Sequence, residues 1–262
     1  MRIQHRRGIA AAAAAVVASL AGANVFTPEP AANPGIRPRQ AEVAPGLKSQ
    51  SQRLADAFQA ATGHRTGFIR EEKRQSVTTK PLQIVQLPFG PALLTSRKIN
   101  EGCHACTGSI GVYYVKEVAG KTLVTGRWPE AVKGWGWGAP PPQWHLTTRF
   151  TSNPAIFASG GYMGQGIVMK GATLTELGPT GPATSDMIGT GYTDEAATAD
   201  GERPACRVKG KIANIRKDHS FDVVVSGSIS AVDRYAKRNG RFVATSKIDW
   251  EMPCELGRRP AP

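Results

Sequence analysis

From Phe68 to Trp250 the chain is a succession of short runs of β-branched and aromatic residues, each followed by a cluster of Gly, Pro, Asn or Asp. Short runs of this kind between turn-forming residues predict β-strands joined by tight turns. The runs follow one another too closely to leave room for the helical crossovers that parallel strands require. The sequence therefore predicts an antiparallel, all-β fold.

Three stretches, residues 80–127, 143–178 and 208–250, show the same order of strand-like runs. In each, one pair of runs separated by a turn is followed by a second pair, and Asn239-Gly240 supplies a tight hairpin turn in the last stretch. The runs lie at 84–87, 92–96, 110–115 and 122–125, then at 145–148, 155–159, 167–169 and 173–177, and finally at 212–215, 222–226, 232–235 and 241–245. Three four-strand meanders predict a propeller-like assembly, with a trefoil-like or a sandwich arrangement as the alternatives.

One N-terminal amphipathic helix is predicted ahead of the strands, over residues 49–62. Its apolar residues recur at the spacing of one helix face, which is typical of a helix that covers a sheet face or edge. Ser49 or Ser51 can cap its first turn, and Gly63 ends it. The apolar residues are Leu54, Ala57, Phe58 and Ala61.

Residues 1–23 have the three parts of a secretory signal peptide, namely a basic start, a short apolar run and the small-residue cleavage site Ala21-Gly22-Ala23. The apolar run is too short and too rich in Ala to anchor the chain in a bilayer. We therefore expect export to the periplasm or the extracellular space, and Arg6-Arg7 leaves open whether the general or the twin-arginine route is used. Residues 24–47 are rich in Pro and Ala and predict a flexible linker, and residues 48–262 a single β-rich domain.

The formal net charge is +13, and loss of the three arginines in residues 1–23 leaves +10. A basic exported protein is expected to attract anionic surfaces weakly, because solvent ions screen such interactions. Nucleic acid is not an expected partner, since the chain is exported and no nucleic-acid-binding motif occurs in it. After signal cleavage the chain is not expected to be an integral membrane protein.

Four cysteines remain after signal cleavage, and an even number in an exported chain favours disulfide bonds. Their spacing favours a bond between Cys103 and Cys106 and another between Cys206 and Cys254. The second bond would close the last repeat against the C-terminal segment. Four cysteines allow three pairings, so the two other disulfide pairings stay open.

The motif Gly102-Cys103-His104-Ala105-Cys106 has several interpretations. A structural disulfide that holds the loop is favoured by the expected compartment. Thiol–disulfide exchange is the alternative, because His104 and the nearby Lys98 would favour the thiolate, although a strand and not a helix is expected to follow. A four-sulfur zinc site is disfavoured by the 48-residue separation of the other two cysteines, and Thr107 excludes c-type haem attachment, so no cofactor is expected.

Residues 133–144 concentrate three of the five tryptophans among Gly and Pro residues. If they are exposed, Trp135, Trp137 and Trp144 would form a binding surface, because aromatic rings stack on sugars and pack against Pro-rich or apolar partners. The alternative, which the usual burial of large aromatic residues favours, is that they anchor the loop to the core. This loop is nevertheless the first candidate for a binding surface.

Acidic residues provide two further kinds of candidate site. Those at 193–202 could bind Ca²⁺ but lack the spacing of an EF-hand, so a solvated loop is favoured and no metal is expected. They are Asp194, Glu195, Asp200 and Glu202. A glycan hydrolase would need two carboxylates about 5–10 Å apart, for which the sequence offers candidates without ranking them. They are Glu130, Glu176, Asp186 and Asp222.

These features favour a non-catalytic binding or interaction protein of the periplasm or cell envelope, whose ligand is an envelope component or another protein. It would use the tryptophan loop and its basic faces, with the Cys103–Cys106 loop as a structural clamp. A thiol–disulfide redox protein that uses Cys103, His104 and Cys106 is the first alternative. An envelope glycan hydrolase is the second, although no serine-hydrolase, zinc-protease or β-lactamase motif occurs in the sequence.

Overall fold

The computed structural model describes residues 48–194, 205–246 and 248–255, so the expected signal peptide and linker lie outside the described residues. Within them, one α-helix precedes a series of antiparallel strands, and the all-β prediction is confirmed. The elements are α1 (Gln50–Thr62), β1 (Phe68–Glu72), β2 (Gln75–Leu87), β3 (Gly90–Ile99), β4 (Ser109–Val118), β5 (Lys121–Lys133), β6 (Gln143–Thr147), β7 (Ala155–Gly164), β8 (Ile167–Gly178), β9 (Gly181–Thr184), β10 (Ile188–Asp194), β11 (Cys206–Arg216), β12 (Ser220–Gly227), β13 (Ala231–Arg238) and β14 (Arg241–Ala244).

Helix α1 begins and ends where the sequence predicts. The Ser49 hydroxyl accepts a hydrogen bond from the backbone N–H of Gln52 at 3.2 Å, and the Gln52 side chain accepts one from the Ser49 N–H at 2.8 Å. This reciprocal capping box satisfies two of the N–H groups that the first turn leaves unpaired. Gly63 ends the helix in the left-handed conformation, with φ 86°. The buried face of the helix packs on the first sheet through Ala57, Phe58 and Ala61.

Strands β1 to β5 form one sheet and follow one another in chain order. Turns of two residues join most of them, but the connection between β3 and β4 is longer and contains the Cys103–Cys106 motif. Arg127 on β5 donates to the carbonyl oxygen of Ala60 at 3.2 Å, and also donates to that of Ala61, so it ties the sheet to the last turn of α1.

Strands β6 to β14 form the second sheet, in the order β14-β13-β12-β11-β10-β8-β7-β6 with β9 paired to β8. Two strands lie on the same side of β8, because β10 pairs with residues 167–172 and β9 with residues 175–178. The Asn-Gly turn between β13 and β14 is confirmed, since Asn239 and Gly240 both have positive φ, at 50° and 79°.

The strand pairing corrects one detail of the expected repeat. Residues 167–169 and 173–177, expected as two strands of a hairpin, belong to the single strand β8. The Lys170-Gly171 pair between them is not a turn, because Gly171 lies mid-strand and is paired with Gly160 on one side and Gly189 on the other. The second and third stretches also lie in one continuous sheet. A propeller-like or trefoil-like arrangement is therefore not assigned.

A shared core joins the two sheets. Val112 and Tyr114 of the first sheet pack in one buried cluster with Ile156, Ala158 and Leu177 of the second. The Tyr114 hydroxyl donates to the Gly178 carbonyl at 2.6 Å, and burial raises the pKa of this phenol to about 12. A second buried cluster fills the remainder of the second sheet and includes Phe221, Tyr235, Phe242 and Trp250.

The C-terminal segment is held to the second sheet by two kinds of bond. The disulfide between Cys206 and Cys254 joins the first residue of β11 to the short 3-10 helix Pro253–Glu255, as the sequence spacing favours. The Trp250 indole lies against Gly189 and donates from Nε1 to the buried Asp233 carboxylate at 2.8 Å. Within the described residues, no helix has the length and apolar character needed to cross a membrane.

Candidate functional site

The two most unusual motifs of the sequence contact each other through their backbones. The loop between β3 and β4 carries the Cys103–Cys106 motif, and the loop that follows β5 carries Gly134 to Gly138. The N–H of Gly138 donates to the Cys106 carbonyl at 2.8 Å, and the N–H of Gly108 donates to the Ala139 carbonyl at 3.0 Å. Because these bonds alternate between the loops, the position of one loop determines that of the other.

The disulfide between Cys103 and Cys106 closes the first of these loops, with the two Cα atoms 5.0 Å apart. The N–H of Cys106 donates to the Cys103 carbonyl at 3.0 Å, so the bond spans a tight turn. The side-chain amide of Gln75 donates to the Cys106 sulfur at 3.3 Å. Cys103 is exposed and Cys106 is half-buried.

Trp137 is displayed at the tip of the second loop. Its side chain is 66% exposed, and its backbone is left-handed, with φ 56°. The N–H of Trp137 donates to the His104 carbonyl at 3.4 Å, which holds this conformation against the disulfide loop. Gly136 has to be glycine here, because its φ is 133° and a Cβ would lie 2.7 Å from the His104 carbonyl oxygen.

Three rings form what we call the aromatic surface, namely those of Trp137, His104 and Tyr162. The imidazole of His104 lies between the other two, with ring centroids 4.8 Å from Trp137 and 4.9 Å from Tyr162, both edge to face. Tyr162 comes from β7 near the hairpin that leads to β8 and is 41% exposed. The aromatic surface thus combines the disulfide loop, the tryptophan loop and the second sheet.

The other two tryptophans of the predicted binding loop are placed differently. The Trp135 indole lies in a slot above Gly160 and Gly171, where a Cβ on either glycine would collide with it. Trp144 on β6 is half-buried and packs against the core cluster shared by the two sheets. These two residues therefore anchor the loop, and Trp137 is the member of the predicted set that projects into solvent.

Tyr162 was missed by the sequence reasoning. The available signal was an aromatic residue within Gly160-Gly161-Tyr162-Met163-Gly164, a glycine-rich stretch at a hairpin end. Its approach to His104 depends on the packing of the second sheet against the loops of the first, which spacing along the chain does not reveal.

The chain matches no protein-family model, no curated protein and no solved structure. Its function is therefore inferred from the chemistry of its own residues.

The Cys103–Cys106 loop lacks one feature that favours a reactive thiolate. Strand β4 begins at Ser109, three residues after the motif, so no helix N-terminus stabilises a negative charge on sulfur. His104 is exposed and its ring contacts two aromatic neighbours. The exposed Cys103 nevertheless leaves the bond open to attack by a dissolved thiol.

The four acidic residues considered for a glycan hydrolase have separate partners. No two of them share a partner in the described residues, and the carboxylate of Glu176 is nearly buried. Glu130 is paired with Arg97, Glu176 with Lys237, Asp186 with Arg241 and Asp222 with Asn214.

The Glu176 carboxylate belongs to a partly buried charge network. The Lys237 ammonium lies 2.6 Å from it and 3.0 Å from the Asp218 carboxylate. Burial alone would raise the pKa of Asp218, but hydrogen bonds from Ser152 and Lys237 outweigh this effect and lower the pKa to about 2. Because the partners satisfy these charges, the arrangement resembles structural ion pairing more than a catalytic pair of acids.

The expected Ca²⁺ ligands are mostly outside the described residues. Asp194 ends β10, whereas Glu195, Asp200 and Glu202 lie in the stretch that is not described. No group of three or more His, Cys, Asp or Glu side chains that could hold a metal ion is found in the part of the chain that the structure describes.

Proposed function

We propose that this chain is a non-catalytic binding protein of the cell envelope that holds its ligand on the aromatic surface. The observation that carries the proposal is the display of Trp137, which is 66% exposed in a left-handed backbone. This conformation costs a residue with a side chain about 1–2 kcal/mol, and an exposed ring recovers little of that cost by burial. Backbone strain of this kind concentrates at functional positions.

The chemistry of the three rings supports a sugar as the ligand. Three partly exposed aromatic side chains offer on the order of 300 Å², whereas a stable protein interface buries about 800 Å² on each partner. Each ring also carries a polar atom that can bond a sugar hydroxyl while its apolar face contacts the C–H groups of a pyranose. An apolar peptide would leave these polar atoms without partners.

The disulfide loop supports the same function as a structural clamp. It holds the Trp137 backbone through the His104 carbonyl and supplies the central ring of the aromatic surface. Two disulfides are compatible with an exported chain, and the signal-peptide pattern of residues 1–23 favours export to the envelope, where glycans are abundant.

The test is co-sedimentation of the purified protein with isolated peptidoglycan. We expect Trp137→Ala to weaken binding about fivefold or more, because a stacked aromatic ring contributes about 1 kcal/mol. Leu123→Ala is the matched control, since Leu123 is 44% exposed and lies near the other end of β5, far along the strand from the tryptophan loop. Circular dichroism checks that both variants fold. Wild-type protein that does not sediment, or unchanged binding by Trp137→Ala, would overturn the glycan assignment.

A thiol–disulfide redox protein is the second candidate, and the exposure of Cys103 favours it. In an insulin-reduction assay this function requires activity that Cys103→Ser abolishes. Absence of activity in the wild type, although dithiothreitol opens the bond, would rule out the redox function.

A further inference from the structure

A face of the second sheet, separate from the aromatic surface, carries a group of exposed lysines. Lys170 on β8 and Lys209 on β11 are both in register with Gly191 on the strand between them. Lys211 follows two residues further along β11 and therefore points to the same side. Strand spacing puts the first two about 10 Å apart and the last two about 7 Å apart. All three side chains are exposed.

These lysines have no ion-pair partner among the described residues. On the described strands β10 to β13, Asp222 is the one carboxylate that shares this face by register. It is already engaged, since it accepts from Asn214 at 2.9 Å and lies 3.8 Å from the Arg234 guanidinium. Among the residues that the structure describes, the charge of this face is therefore positive.

Exposed apolar side chains lie on both sides of the lysines. Val224 and Val232 are cross-strand neighbours, and Val224 is also in register with Lys211. These valines are 41% and 43% exposed. Towards the other edge, Met163 on β7 is 72% exposed and is in register with Val168. We call this set of lysines and apolar side chains the basic face.

We propose that the basic face docks on a membrane surface rich in anionic lipid. Cations beside exposed apolar side chains suit the bilayer interface, where headgroup phosphates attract the lysines and the apolar groups enter the acyl boundary. A dissolved polyanion would satisfy the lysines but leave Met163 and the valines in water. Tyr162 and Met163 are neighbours on opposite sides of β7, so docking leaves the aromatic surface free for a second ligand.

The test measures co-sedimentation with vesicles of phosphatidylcholine mixed with phosphatidylglycerol, and with phosphatidylcholine vesicles as the neutral comparison. We expect binding to the mixed vesicles that falls as salt is added, because salt screens the headgroup charge. The double variant Lys209→Gln/Lys211→Gln should bind about 25-fold more weakly, since each lysine near an anionic surface contributes about fivefold. The double variant Lys116→Gln/Lys121→Gln is the control, because it removes the same charge from exposed positions of the other sheet.

Inorganic polyphosphate separates membrane docking from binding of any polyanion. Met163→Gln should weaken vesicle binding several-fold and leave polyphosphate binding unchanged, because it removes an apolar contact and no charge. Trp137→Ala should bind vesicles like the wild type, which keeps this result independent of the proposed glycan binding. Equal binding to neutral and anionic vesicles, an equal loss in the control variant, or vesicle binding that Met163→Gln leaves unchanged would overturn membrane docking.

Discussion

Replacement of Trp137 by glycine should weaken ligand binding about fivefold or more while leaving the fold nearly as stable as the wild type. The substitution removes the left-handed strain at φ 56°, a gain of about 1–2 kcal/mol. It loses the edge-on contact with His104, about 0.5–1.5 kcal/mol, and adds about 0.5–1 kcal/mol of chain entropy to the unfolded state. These contributions nearly cancel, so the free energy of unfolding should stay within about 1 kcal/mol of the wild-type value.

Alanine at the same position isolates the strain. Trp137→Ala loses the same ring contact but keeps a Cβ in the left-handed conformation, so it should be less stable than Trp137→Gly by about 0.5–1 kcal/mol. Trp250→Ala is the contrasting variant, because that indole is 6% exposed and bonded to Asp233. Loss of a buried tryptophan costs about 3–5 kcal/mol.

Guanidinium chloride unfolding followed by far-ultraviolet circular dichroism gives the free energies, and co-sedimentation with peptidoglycan gives the binding. In thermal unfolding, about 1 kcal/mol corresponds to a shift of about 2–4 °C for a domain of this size. If Trp137→Gly is destabilised by more than about 2 kcal/mol, or is less stable than Trp137→Ala, then Trp137 is an anchor of the fold and its display is not explained by binding.

Three further predictions concern the second sheet, each measured by denaturant unfolding. Lys237→Met leaves the buried Glu176 carboxylate without its cation and should lower the free energy of unfolding by about 3–5 kcal/mol. Adding Glu176→Gln to that variant should restore most of the lost stability, and no restoration would mean that the unpaired charge is not the cause. The pKa of Asp218 is lowered to about 2 from 3.8, so its contribution to the free energy of unfolding is present above pH 3.8 and is lost as the pH falls towards 2. Because the side chain is partly exposed, we expect this contribution to be about 1 kcal/mol, and Asp218→Asn should remove it. If stability falls with acid in that variant as it does in the wild type, Asp218 is not the cause. Gly171→Ala should lower the free energy of unfolding by about 1–3 kcal/mol, because its Cβ would lie 2.7 Å from a carbon of the Trp135 indole. Gly178→Ala meets an ordinary contact at 3.5 Å and should cost less. Equal losses in the two variants would contradict the packing of Trp135 against Gly171.

Local patterns predicted most of the individual elements. The capping serine, the apolar face and the terminal glycine of α1 are contained in fifteen consecutive residues, from Ser49 to Gly63. The Asn239-Gly240 turn is equally local, because both residues adopt positive φ at little cost. The prediction failed at Gly171, where a glycine that looks like a turn residue lies mid-strand to receive the ring of Trp135.

The candidate site was predicted in part. The sequence singled out both loops, but it could not rank Trp135, Trp137 and Trp144, which share the same composition of neighbours. Which ring is buried depends on whether the opposite strand offers a slot, and glycines of β7 and β8 provide one for Trp135. Tyr162 joins the aromatic surface from a different sheet, so its role depends on tertiary packing.

The order of polar, apolar and turn-forming residues along the chain was enough to determine an antiparallel protein with one capped helix, and it favoured the two disulfide pairings that the structure contains. These features depend on the conformational preferences of neighbouring residues and, for the cysteines, on spacing. Tertiary structure decided how nine strands share one sheet within the described residues, which tryptophan reaches solvent, and where unpaired lysines gather beside apolar side chains. The physical reason is that each of these outcomes depends on contacts between residues far apart in sequence, whose energies are set by shape and burial only after the sheets have packed.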